Sequence, residues 1–316
     1  MTNERGSFLS TLERLDGQVA VVTGANSGLG FETACDLARL GARVILASRS
    51  TERNEMAVRT LVDRVPSARV EAASLDLASL ASVEEFSDRL AGRVSSVDVL
   101  VNNAGVMAPP ERLETKDGFE LQFGVNHLGH FALTGRLKPL LETSPGGGIV
   151  IAVASLAAWK GRILFDDLQS RYRYVPFHAY DQSKLANLMF GMELSRRAMT
   201  EGWNLHSRIA HPGWARTQLI VNGLGSRTGN MLTRVTELGA HVAFRLLGQS
   251  AADGAEPFVY AAASPKARDG QYYGPTGAGE RRGAPGLAVI PPSAQHPAIA
   301  KRLWEVSERL TDVGFD

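Results

Sequence analysis

Gln18-Val19-Ala20-Val21-Val22-Thr23-Gly24-Ala25-Asn26-Ser27-Gly28-Leu29-Gly30 is the stretch on which the fold turns. Its apolar run, Val19 to Val22, reads as a buried parallel strand. The strand passes directly into three glycines spaced G-x-x-x-G-x-G. An amphipathic helical pattern follows to about Leu40, and Gly41 supplies a C-terminal stop. Strand, glycine turn and helix in that order aim unpaired backbone N–H groups and the positive helix end at an anion, most naturally a pyrophosphate. The spacing differs from the commoner G-x-G-x-x-G, so the glycines alone are a weak signal. Their flanking strand and helix make a nucleotide-binding turn the better reading than a structural one. Gly24, Asn26, Ser27, Gly28, Leu29 and Gly30 are its candidate contacts.

The same alternation continues down the chain. A second strand, Arg43 to Ala47, ends in Ser48-Arg49, where a dinucleotide fold ordinarily carries an acid for the adenosine ribose diol. Ser48 leaves room there, and Arg49 offers a fork of donors suited to a 2′-phosphate, which points to NADP rather than NAD. The alternative is an Arg49 that merely opens a solvated loop. A helix over 52–65, a strand over 69–73 ending near Asp76-Leu77, and a helix over 80–90 come next. The strand over 97–101 stops at Asn102-Asn103-Ala104-Gly105, a small polar cluster where such sheets keep their ligands. Helical spacing from Phe119 to Leu133 carries Asn126 and His127. The strand over 149–154 delivers Ser155, and a long helix runs from Tyr180 to about Met199. A strand over 205–210 leads to His211-Pro212-Gly213-Trp214, and helices over 251–263 and 299–310 flank a Gly-, Pro- and Tyr-rich stretch, 264–290. The pattern predicts a Rossmann-type α/β fold, a doubly wound parallel sheet with helices on both faces. It is divided into an N-terminal leader (1–16) and a single dinucleotide-binding catalytic domain (17–316). Within that domain 218–250 is expected to form a small helical lid and 264–316 a C-terminal extension.

Composition narrows the function classes. The chain has 316 residues, 44% hydrophobic and 21% charged, enough for a sizeable core. A net charge of +1 provides no basic footprint for nucleic acid. The single cysteine, Cys35, excludes an internal disulfide and reads as a buried thiol. The first residues lack the apolar core of a signal peptide, and no run approaches the ~18 apolar residues of a membrane span. A cytoplasmic protein is expected. His127, His130, His178 and His211 lack accompanying cysteines or paired carboxylates, so no metal is expected.

The chemistry concentrates in Tyr180-Asp181-Gln182-Ser183-Lys184. Tyr180 and Lys184 are four apart and so share a helix face. An ammonium beside a phenol is what a tyrosine needs to act as acid or base. Moving its pKa from about 10 to roughly 7 takes about 4 kcal/mol. With six Tyr and six Lys in the chain, about 0.1 such pairs arise by chance, so the motif needs company.

That company is present. Thr23-Gly24-x-x-x-Gly28-x-Gly30, Asn102-Asn103-Ala104-Gly105, Asn126, Ser155, Tyr180-x-x-x-Lys184, and Pro212-Gly213 with Thr217 match the short-chain dehydrogenase/reductases in order and position, over about residues 17–275. The run Gln122 to Phe131 and Phe165-Asp166-Asp167-Leu168 resemble the branch of retinol dehydrogenases, the WW-domain oxidoreductase and protochlorophyllide reductase.

The resemblance implies a catalytic tetrad of Asn126, Ser155, Tyr180 and Lys184. Tyr180 would exchange a proton with the substrate oxygen, and Ser155 would hold that oxygen. Lys184 would bind the nicotinamide ribose and lower the Tyr180 pKa, and Asn126 would seat a relay water. The same resemblance implies that NADP(H) contacts Asp76, Leu77, Asn103, Ala104, Gly105, Pro212, Gly213 and Thr217 besides the glycine turn. It also implies a homodimer through helices beginning near Phe119 and Tyr180. The apolar residues of 218–250, with Trp159, Phe165 and Trp214, suggest a pocket for a bulky apolar carbonyl or alcohol. Reduction of an activated C=C bond, or a non-catalytic nucleotide sensor on the same fold, are the competing readings.

Overall fold

Residues 3–215 and 248–315 are described by the structure, a computed structural model. Eight strands form one sheet in the order β3-β2-β1-β4-β5-β6-β7-β8. They are β1 (Val19–Thr23), β2 (Arg43–Ser48), β3 (Arg69–Ser74), β4 (Val99–Asn102), β5 (Gly148–Val153), β6 (Leu205–Ala210), β7 (Tyr272–Pro275) and β8 (Pro285–Leu287). All neighbours pair in parallel except β8, which runs antiparallel to β7. The order reverses between β1 and β4, and at such a switch point the connections leave to opposite sides and open a crevice above the strand ends.

The central strands are apolar throughout because both faces are covered. Val21, Leu100 and Val150 face one core, packed with helices α4 (Leu80–Ala91), α6 (Gly129–Glu142) and α7 (Pro176–Glu201). Their neighbours Ala20, Val22, Val99, Val101 and Ile151 face the other, with α2 (Gly28–Arg39), α3 (Thr51–Arg64) and α8 (Ala251–Ala263). One strand residue in two turns to each side, as the pleat requires.

Four features depart from the sequence expectation. The helix expected from Phe119 is a short piece, α5 (Leu121–Phe123), then a π-helical turn, Gly124–Leu128, and then α6, which runs on to Glu142. The long helix α7 begins at Pro176, ahead of Tyr180, because proline has φ pre-set for the first helical position. The stretch 264–290 contains the last two strands, β7 and the edge strand β8; with Gly and Pro inside, they carry no alternating pattern to read. The leader is a packed part of the domain. Its helix α1 (Asn3–Leu9) places Arg5 on the carboxylate of Asp36, a fully buried side chain that also takes Arg39, and Leu12 and Leu15 are buried behind it.

The C-terminal helix α9 (Pro297–Thr311) and the residues after it pack over α6 and α7. Trp304 lies 5.1 Å from Phe131 and 4.5 Å from Phe315, ring centroid to centroid. The aromatic face that those two helices present is therefore covered within the chain. No helix among the described residues is long and apolar enough to cross a membrane.

Candidate active site

The turn after β1 has the shape of an anion cradle. Gly24 (φ +64°) and Gly28 (φ +58°) occupy the left-handed region that favours glycine. A Cβ on Gly30 would lie 2.5 Å from the Asn103 side-chain nitrogen and 2.7 Å from the Gly24 carbonyl oxygen, so only glycine lets α2 start this close to the sheet. Ser27 sits at the N-cap of α2 without capping it through its side chain, so the first N–H groups of the helix keep their capacity for a ligand. A Cβ on Gly28 would meet nothing within 4 Å, so the cradle opens on free space. These residues fit a dinucleotide pyrophosphate.

Thr23 holds the two halves of this site together. Its hydroxyl oxygen accepts the N–H groups of Asn103 and Ala104, each at 2.9 Å, while the Asn103 side chain donates to the Thr23 carbonyl at 2.8 Å. The same hydroxyl lies 2.9 Å from His130 Nε2, and His130 Nδ1 lies 2.9 Å from the Asn126 carbonyl oxygen. A carbonyl only accepts, so Nδ1 carries the proton, and Nε2 accepts from the Thr23 O–H. Burial holds this imidazole neutral, with its pKa down at about 4.

Asn126 lies within the π-helical turn, an irregularity that recurs at functional sites because it redirects side chains and frees carbonyls. Its amide grips the Val106 backbone in both directions (2.8 and 2.9 Å) and donates to Ser183 Oγ at 2.9 Å. The water-seating role implied for it would fall to its remaining carbonyl lone pair. Ser155, just past β5, stands beside Tyr180, and its hydroxyl accepts the Ala157 N–H at 3.2 Å. Lys184 Nζ donates to the Val153 carbonyl at 3.1 Å and stands 5.9 Å from the centre of the Tyr180 ring. A Cβ on Gly105 would lie 3.2 Å from Asn126 Oδ1 and 3.7 Å from Lys184 Nζ, so the tetrad and the turn after β4 meet at one point.

Electrostatics here are set by desolvation. Burial pushes the Tyr180 phenol up to about 12, against the hydrogen bond from Ser155, with Asp181 adding to the rise. Burial pushes the Lys184 ammonium down to about 8. The expected fall of the tyrosine pKa is thus not achieved by the lysine alone. A buried ammonium that is itself disfavoured has little charge to spare, and the cationic ring invoked alongside it belongs to the cofactor.

The other expected contacts fall as follows. Arg49 is exposed, with no ion pair among the described residues, whereas Ser48 is buried with its hydroxyl on Asn54. Asn54 in turn holds the Ser48 and Ala73 carbonyls, so the end of β2 is less open than its sequence suggests. Asp76 accepts the Ala78 N–H at 3.1 Å and pairs with Lys116 at 3.3 Å, with Leu77 buried beside it. Pro212 and Gly213 follow β6 at the same sheet edge. Thr217 and residues 218–247 of the proposed lid lie outside the described residues.

Among the aromatics assigned to the pocket, Trp159 is half exposed. Phe165 lies under the Arg302 guanidinium at 4.0 Å, and Trp214 under Arg281 at 4.3 Å. His127, buried and held neutral at about 3, bonds Ser307 of α9 at 2.8 Å, and His178 is exposed. Sequence reasoning passed over Thr23 as a hub, His130 and Asn187. Asn187 shares the Val153 carbonyl with Lys184 at 3.1 Å. Only its helical offset from Lys184 could have marked it.

A glycine cradle, a switch-point crevice and a Ser–Tyr–Lys cluster above the strand ends define a dinucleotide-dependent oxidoreductase. The chain belongs to the short-chain dehydrogenase/reductase family: the family model described as short chain dehydrogenase matches residues 18–222. It is similar to human retinol dehydrogenase 13, 41% identical over 94% of this chain and 85% of that protein. It is also similar to mouse polyprenol dehydrogenase, 37% identical over 98% and 89%. Among solved structures, an uncharacterized protein from Mycobacterium Paratuberculosis superposes with a TM-score of 0.77 at 39% identity, covering 98% of each chain. L-sorbose reductase from Gluconobacter frateurii shares the fold at a TM-score of 0.63 and 24% identity, over 82% of this chain and 95% of that one.

Lys184 generates a prediction about the protein without ligand. Its folded pKa, about 8, lies below the ordinary lysine value of 10.5, so the unfolded chain binds more protons between those values and stability rises with pH there. Below pH 8 the full cost of the buried charge is present. Lys184→Met should stabilise the ligand-free protein at pH 7 by up to about 3 kcal/mol, and the gain should shrink as pH nears 10.5. Urea unfolding at the two pH values checks it; a less stable variant at pH 7 contradicts it.

Proposed function

We propose that this enzyme transfers hydride between NADP(H) and a carbonyl/alcohol pair on a bulky apolar molecule. The observation that carries the reading is Tyr180 with Ser155 and the Lys184 ammonium beside it, Nζ 5.9 Å from the ring centre, at the C-terminal ends of the strands next to the glycine cradle. When bound, the nicotinamide supplies or takes up the hydride. With its pKa at about 12, Tyr180 holds its proton at neutral pH and can give it to a carbonyl oxygen. Ser155, beside the tyrosine, would hydrogen-bond the same oxygen. Lys184, anchored on Val153, presents its remaining protons towards Gly105 and Asn126, where a ribose would lie.

NADP preference is supported by the free Arg49 and by the absence of an acid at the end of β2. The apolar substrate class is supported by the apolar residues of 218–250 and by the names of two relatives, which refer to retinol and a polyprenol, both largely hydrocarbon alcohols.

Three outcomes follow. Tyr180→Phe should lower turnover by about 10²–10⁴-fold while dinucleotide affinity, measured by calorimetry, stays nearly unchanged. Wild-type turnover in that variant would sink the assignment. Arg49→Ala should abolish most of a roughly 10–150-fold preference for NADP(H) over NAD(H), the worth of one charge-assisted contact. Equal dissociation constants for both dinucleotides in the unmodified protein argue against the reading. Across a ketone series of increasing chain length, kcat/KM should rise, since each ~100 Å² of buried apolar surface adds at most ~2.5 kcal/mol before ordering costs. A flat or falling series contradicts the substrate class.

A further inference from the structure

The hairpin that joins β7 to β8 ends in a strained residue with an uncommon partner. Glu280 has φ 54°, a left-handed conformation that a non-glycine residue keeps only where its surroundings enforce it. One oxygen of its carboxylate accepts the Val289 N–H at 2.7 Å, and the other lies 3.2 Å from Nε2 of His211. His211 is completely buried at the end of β6. Its Nδ1 accepts the Gly213 N–H at 3.2 Å, so Nε2 is the protonated nitrogen and faces the carboxylate. Room for this ring exists only because residue 274 is glycine, since a Cβ there would lie 1.9 Å from Nε2.

The next residue reinforces the contact. Arg281 accepts the Trp214 N–H on its carbonyl at 2.8 Å and stacks its guanidinium on the Trp214 ring. Gly213 has φ +61°, and a Cβ on it would lie 2.5 Å from the Arg281 carbonyl oxygen and 2.8 Å from that of Glu280. Gln249 secures the same turn from the other side, donating to the Pro212 carbonyl at 2.6 Å. Behind it, Tyr272 packs 4.9 Å from the His211 ring and directs its hydroxyl to the Ser155 carbonyl at 3.4 Å.

An apolar pair of similar volume would fill this space at least as stably as a buried His–Glu contact, so stability does not account for it. What the polar pair adds is direction: it ties the backbone of 211–214 to the C-terminal hairpin. We propose that Glu280 is a positioning residue for the nicotinamide end of the cofactor site, acting through His211 and the Gly213 N–H on the Pro212–Trp214 turn. The proposal rests on the cofactor reading above.

The test compares two ligands by isothermal titration calorimetry on the full chain: NADP⁺, and 2′-phospho-ADP-ribose, which lacks the nicotinamide. Glu280→Gln should weaken NADP⁺ binding by about fivefold or more, the scale of one lost close contact to an ionised carboxylate. Fragment binding should change less than about twofold, as befits a contact confined to the nicotinamide end. Glu280→Ala should show the same split with a larger loss. If that variant does not fold, the glutamine variant, which keeps an acceptor for Val289, carries the comparison. A loss shared equally by both ligands, or no loss with either, overturns the proposal while leaving the cofactor reading intact. An unmodified protein that binds neither ligand overturns the cofactor reading, and this proposal with it.

Discussion

The site depends on one buried hydroxyl. Thr23 Oγ1 takes two backbone N–H groups from the turn after β4 and gives its proton to His130, whose other nitrogen holds the Asn126 carbonyl. The Val101 carbonyl lies 3.2 Å from the same hydroxyl, so the network also reaches the neighbouring strand β4. The result is that the glycine cradle, the Asn103–Gly105 turn and the π-helical turn are fixed relative to one another before any ligand arrives. Preorganisation of this kind matters because misplacement of about 1 Å in such a site costs on the order of a hundredfold in rate.

The tetrad is ordered by the same logic of burial. Desolvation acts on Tyr180 and Lys184 in opposite senses, raising one and lowering the other, so both are driven towards their neutral forms. The protein alone therefore stores a tyrosine that keeps its proton and a lysine close to giving one up. An anionic or polar ligand on Lys184 would restore the value of its charge and with it the acid–base character proposed for the pair. Lys184 is held in readiness by the Val153 carbonyl, which Asn187 also bonds, so the anchor keeps a partner when the ammonium turns to a ligand.

Much of this was legible in the chain. Apolar runs of four or five residues ending in small polar clusters marked β1, β4 and β5, because strands covered on both faces carry few polar residues until they reach the ligand crevice. Tyr180 and Lys184 could be paired by helical spacing alone. What was not legible lies in contacts between distant segments. Glu280 and His211 are far apart in sequence, and neither stands in a pattern. The π-helical turn leaves no trace in the periodicity of 119–133, since one extra residue per turn shifts an apolar stripe that is apolar on most sides anyway. Ser48 looked like free space because the amide that fills it, Asn54, sits on the following helix. Arg5 read as part of a polar leader because the carboxylate it serves, Asp36, is hidden in an otherwise apolar helix face.

The C-terminal extension shows why such distant contacts bear on function. Its helix α9 covers the aromatic face of α6 and α7 and bonds His127 through Ser307, one residue from Asn126. Its hairpin grips the turn after β6 through Glu280 and Arg281. Thus residues after 264 touch the site from two sides, at the π-helical turn and at Pro212–Trp214, without contributing a member of the tetrad. A doubly wound sheet offers its ligand crevice at the strand ends, but the loops there are held only as well as their supports. In this chain the supports come from the C-terminal extension, and the tight approaches are permitted by Gly274 within it and by Gly213 in the turn that it grips, where bulkier residues would clash.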